Sequence, residues 1–138
     1  MSEELLFYRS CAPAAALWDD ARDRPSSQLF MLNSNDEGLL SVAQSAKTNP
    51  KQFYQEFISA GMASRGVWGI SEGEISPVPK VRDEAGNEII LGWSEDEGPG
   101  KVTGHCLINM KRWVGKKKLK KIAQSLRNVA VERGILHP

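Results

Sequence analysis

Residues 104–134 read GHCLINMKRWVGKKKLKKIAQSLRNVAVERG, and within them the spacing of apolar side chains changes once. From Gly104 to Trp113 the period is two, with Cys106, Ile108 and Met110 on one side of an extended chain and His105, Asn109 and Lys111 on the other. Past Gly115 the period becomes helical. Leu119, Ile122, Ala123, Leu126, Val129 and Ala130 form one stripe, and Gly134 stands where a helix stops. A half-buried strand that feeds an amphipathic helix needs a sheet for both to pack against, which points to an α+β fold.

Working outward, Asp83-Glu84-Ala85-Gly86-Asn87-Glu88 has the chemistry of a hairpin turn, returning through Ile89 to Trp93. Arg65 to Ser71 is apolar on both sides, the pattern of a strand in the middle of a sheet. Pro77 and Pro79 after it mark an irregular stretch or an edge. Further strands are expected over Leu5–Tyr8, Gln28–Leu32 and Leu39–Ala43, with turn residues from Asn33 to Gly38 before the last of these. A short helix is expected from Pro13 through Trp18, ending before Pro25. A second begins at Asn49-Pro50, with Asn49 as cap, Pro50 at the first helical position and Gln52 reaching back as in a capping box. Its Phe53, Tyr54, Phe57 and Ile58 make an apolar stripe assigned to the core, and Gly61 ends it. The expectation is one α+β domain over residues 1–138. It consists of a largely antiparallel sheet with two or three helices, including a basic amphipathic C-terminal helix.

A chain of 138 residues with 41% hydrophobic and 25% charged positions can bury a core without metal or disulfide staples. No apolar run approaches the roughly 20 residues of a bilayer span, and Met1-Ser2-Glu3-Glu4 lacks the basic start of a signal sequence. A soluble, cytoplasmic protein with no membrane partner is therefore expected. Cys11 and Cys106 are too few for a disulfide framework, and with His105 and His137 they fit no recurrent zinc spacing. Reduced structural thiols, no metal and no cofactor are expected.

The charge is unevenly laid out. Between Lys111 and Lys121 the chain places seven of its 18 Lys and Arg residues, with no acid among them, although its net charge is only +1. Outside that run the balance is −6, from 11 basic and 17 acidic residues. Asp83, Glu84, Glu88, Glu95, Asp96 and Glu97 lie in a segment that holds no Lys or Arg, so the two segments are candidates to pair within one chain or between copies. Lys116, Lys117, Lys118, Lys120 and Lys121 stand at the start of the last helix, where the partial positive charge of the dipole disfavours cations by about 0.3–1 kcal/mol each at exposed sites. Such a break with local preference is enriched at functional sites, and an anion resolves it, because backbone N–H groups, dipole and lysines all favour negative charge there. Nucleic-acid phosphate is the commonest polyanion of this description. Lys111 and Arg112 extend the surface, and Trp113 offers a stacking face. The alternative partner is an acidic protein surface, including that of a second copy in a homo-oligomer.

Strong catalytic signatures are absent: there is no P-loop, no GxGxxG after a strand, no nucleophile elbow and no HExxH. His105 and Cys106 are adjacent in one strand and point to opposite faces, so they form no dyad. One looser constellation is Arg9 at the end of the first strand, Ser41 in the third, and Glu72-Gly73-Glu74 after the strand that ends at Ser71. That order resembles the one in ADP-ribosyltransferase-like enzymes, and the resemblance covers only these positions. It implies that Arg9 and Ser41 hold NAD and that Glu74 is the catalytic acid. The chemistry is coherent, since an Arg fork grips pyrophosphate and a carboxylate stabilises an oxocarbenium-like transition state.

Overall fold

A computed structural model of the chain describes residues 4–32 and 37–138. Its centre is an antiparallel five-stranded sheet built from β1 (Leu6–Ser10), β4 (Leu39–Gln44), β5 (Val67–Ser71), β6 (Gly92–Glu95) and β7 (His105–Asn109). The strands lie in the order β5-β1-β4-β7-β6. A two-stranded ribbon, β2 (Trp18–Asp19) with β3 (Arg24–Pro25), stands apart. The helices are α1 (Pro50–Ser59) and α2 (Lys118–Arg133). The mixed α+β architecture, the mainly antiparallel sheet and the two helices agree with the reading of the sequence.

Alternation along the strands sorts the helices to opposite faces. Phe7, Val42, Ile70, Cys106 and Ile108 face α2, whose Leu119, Ile122, Ala123, Leu126 and Ala130 complete the main core. Tyr8, Ala43 and Val67 face the other way and pack with Phe53 of α1. Burying Leu119, Ile122 and Leu126 is worth about 1.5–3 kcal/mol each. That sum exceeds the cost of a poorly charged N-terminus, which is why α2 forms despite its lysines.

Several expected elements take other forms. The strand expected over Gln28–Leu32 is a 3-10 turn, Ser27–Phe30, because the Ser26 hydroxyl accepts from the Gln28 amide and the turn buries both Leu29 and Phe30. The helix expected from Pro13 to Trp18 is reduced to a 3-10 turn at Ala15–Leu17, after which Trp18 joins the ribbon. Asn49 caps α1 as expected, accepting from the Gln52 amide at 2.9 Å, but the Gln52 side chain turns to Glu56 and closes no capping box. Part of the α1 stripe is surface, since Ile58 is 41% exposed. Of the turn expected over Asn33–Gly38, residues 33–36 lie outside the described residues, and Glu37 and Gly38 are in a turn.

The main topological correction concerns β5. All five of its residues are buried, yet it is an edge strand. The two helices cover its faces, and the last residues of the chain cover its edge. The Leu136 amide donates to the Val67 carbonyl and the Val67 amide to the His137 carbonyl, both at 2.8 Å. Gly66 leaves room for this strap. Its φ is +144°, and a Cβ there would stand 2.5 Å from Ile135 Cδ1 and 3.0 Å from the His137 carbonyl oxygen.

Candidate functional site

A chain of tight turns sets out the basic run. β7 ends at Asn109, Lys111–Trp113 forms a 3-10 turn, and the amides of Val114, Lys116 and Leu119 donate three residues back to Lys111, Trp113 and Lys116. α2 then starts at Lys118, so Lys116 and Lys117 precede the helix instead of lying in it. Lys117 holds the N-cap position, its side chain caps nothing, and the first turn contains no acidic residue. Among the described residues the first-turn N–H groups therefore have no capping side chain. Lys111, Arg112, Lys116, Lys117, Lys120 and Lys121 are exposed and Lys118 is half-buried.

Of the seven cations, only Arg112 reaches a carboxylate among the described residues, at 3.7 Å from Asp83. That contact realises the expected pairing of the basic and acidic segments at one point. Asp83 is already committed to its own turn, where Oδ1 accepts from the amides of Ala85 and Asn87 at 2.9 and 2.8 Å. The Asn87 amide foremost, then the Ala85 amide, with Arg112 adding a smaller effect, holds its pKa below the usual carboxylate range against a desolvation cost. The far end of the acidic segment is spent elsewhere. Lys47 meets Glu97 at 2.8 Å and Glu95 at 3.4 Å, while Asp96 pairs with Lys101 and stands 3.2 Å from His105 Nδ1.

Trp113 does not offer the stacking face expected of it. The residue is only 8% exposed and belongs to the main core, and the Arg112 guanidinium covers its ring at 4.9 Å from the centroid. The local cause is the 3-10 turn, which rolls Trp113 inward and leaves Lys111 and Arg112 outside.

The structure brings Arg9 and Ser41 together and holds Glu74 apart. β1 pairs with β4 only at Phe7 and Tyr8. Beyond that point the Arg9 guanidinium fills the gap between the strands, donating from Nε to the Leu29 carbonyl at 2.9 Å and from an NH group to the Ser41 carbonyl at 2.8 Å. Glu74 follows Ser71, whose partner on β1 is Leu6, three residues before Arg9. There it accepts from the Ser71 amide and the Arg133 guanidinium, both at 2.8 Å, and so joins β5 to α2.

Cys11 and Cys106 are buried and form no disulfide, and no group of three metal-ligating side chains gathers among the described residues. Burial, with help from Glu95 and Glu97, pushes the Cys106 thiol up to about 11. His137 is pinned by the strap and stacks on Tyr54 at 4.5 Å. His105 has a partner that reading along the strand does not reveal. Its Nδ1 lies 3.0 Å from the Asp96 carbonyl and 3.2 Å from the Asp96 carboxylate, across a nine-residue loop. No helix among the described residues is long and apolar enough to cross a membrane. Compared with protein-family models, curated proteins and solved structures, the chain matches none of them.

Proposed function

We propose that the protein is a binding module whose basic surface at the start of α2 engages a polyanion, foremost the phosphate backbone of a nucleic acid. One observation carries the reading: six exposed or half-exposed lysines surround an uncapped helix N-terminus, and among the described residues none has a carboxylate partner. Phosphate groups match such a surface by charge and by their many acceptor oxygens, with little dependence on base sequence. The burial of Trp113 favours backbone contact over base stacking.

Self-association through the acidic segment draws less support. Glu95, Asp96 and Glu97 already hold cations of their own chain, and Asp83 is held by its turn and by Arg112. The ADP-ribosyltransferase-like alternative draws less support, because the Glu74 carboxylate is engaged by the Ser71 amide and Arg133.

Fluorescence anisotropy with labelled generic RNA and DNA tests the reading. Four lysines on phosphate give a slope of log affinity against log salt of about −3 to −4. Lys117→Gln, Lys118→Gln, Lys120→Gln and Lys121→Gln together should remove most of that slope and weaken every sequence alike. Absence of binding at low salt, or an unchanged slope in the fourfold variant, rejects it.

A further inference from the structure

A second site lies on the opposite face of the sheet, independent of the phosphate reading. Where β1 and β4 splay apart beyond Tyr8, α1 does not close over the gap, and a cleft of about 440 Å³ remains. Its floor carries Arg9, Ser41 and His105; its walls include Phe53, Phe57 and Val102. The volume falls in the range that takes small organic ligands, about 300–1,000 Å³.

Two features give the cleft a chemical preference. Among the described residues its lining includes Arg9, Lys101 and His105 and no carboxylate. Asp96, which is not part of that lining, organises it by holding both Lys101 and the His105 ring. Because both atoms facing His105 Nδ1 belong to acceptors on Asp96, that nitrogen carries the proton. Arg9 contributes a fixed charge, with Nε and one NH group given to backbone carbonyls. The other wall is aromatic, with Phe53 and Phe57 ring centroids 6.3 Å apart, and Met62 stands at the mouth, 45% exposed.

The wall is also built to stay in place. The Thr103 amide and hydroxyl both donate to Glu56 Oε1 at 3.0 Å, tying the loop that carries Lys101 and Val102 to α1. The Asp96 amide donates to the His105 carbonyl at 2.9 Å, fixing the acid under the imidazole. A cleft with one cationic end, one apolar end and a braced frame discriminates among ligands by shape as well as charge.

We propose that this cleft binds a small amphipathic carboxylate, its aryl or acyl body against Phe53 and Phe57 and its carboxylate toward Ser41, Lys101 and the Arg9 guanidinium. The test is NMR of the isotope-labelled full chain titrated with 4-phenylbutyrate and, separately, with 4-phenylbutanol. The acid should shift the signals of His105, Ser41 and Phe57 saturably. The alcohol should bind at least about tenfold more weakly, the size of one charge-assisted hydrogen bond. Met62→Asp, an exposed change at the mouth, should weaken the acid about tenfold by like-charge repulsion while thermal melting stays as in the parent. Shifts that miss the cleft, equal affinity for acid and alcohol, or undiminished acid binding in Met62→Asp each overturn the proposal. Binding of 4-phenylbutyrate that survives in the fourfold lysine variant separates this site from the basic surface.

Discussion

The loop from Glu95 to Lys101 and the run from Lys111 to Lys121 are both dense in charge, and they dispose of it in opposite ways. In the first, Glu95 and Glu97 share Lys47, and Asp96 gathers Lys101 and His105. In the second, one cation of seven meets a carboxylate among the described residues. Charges that close on neighbours shape the backbone around them. Charges that do not project their field outward and keep their hydration until an anion replaces it.

Substituting the glycine that ends the paired loop should have the largest effect on stability. Gly104 has φ +75°, and a Cβ there would lie 3.2 Å from Lys47 Cβ and 3.3 Å from the Gln44 carbonyl oxygen. Gly104→Ala should therefore cost about 1–3 kcal/mol in urea unfolding, through backbone strain and displacement of Lys47. A variant as stable as the parent would mean that the loop's ion pairs do not fix its conformation.

A smaller effect, of opposite sign, is expected on the unpaired side. Lys117→Asp supplies the missing cap and complements the dipole, and should stabilise the fold by about 1 kcal/mol while weakening nucleic-acid binding. Stability and affinity moving in the same direction would break the contrast between the segments.

The smallest effect is expected from acid. Asp96 and Glu97 are held below the usual carboxylate range, chiefly by hydrogen bonds from Lys101 and Lys47 respectively. A depressed folded pKa means that the stabilisation is complete above the unfolded value and disappears as pH falls through the folded one. The parent should thus begin to lose melting temperature below about pH 5, with a shallower loss in Asp96→Asn and Glu97→Gln. The fourfold lysine variant contains the same carboxylates and should keep the parent's slope.

The strands around β7 and the stripe of α2 were legible because one face of each meets the core, which prints a period of two or 3.6 on the sequence. The α1 start was legible because Asn49-Pro50 carries its own local chemistry. The edge position of β5 was not. An edge strand sealed by two helices and a distant strap is as apolar as a central one, and the strap pairs residues 70 positions apart, Val67 and His137. Leu29 and Phe30 misled for a related reason, since an apolar pair before a turn suits a strand or a single helical turn equally. The basic run was visible as charge, whereas the inward roll of Trp113 depends on a turn that no periodicity announces. The cleft was the least legible feature. Its lining draws on β1, β4, α1 and the loop before β7, and His105 finds its acid on a different strand's end.

Arg9 has a consequence beyond the cleft that it borders. A hydrogen bond ties it to Ser41 on the cleft side, and another to Leu29 in the 3-10 turn that packs against α2. It acts as a rivet through the sheet. Any widening of the gap between β1 and β4 must lengthen one of those bonds or draw the turn along with it, so the cleft on one face and the seat of the basic helix on the other share a mechanical joint.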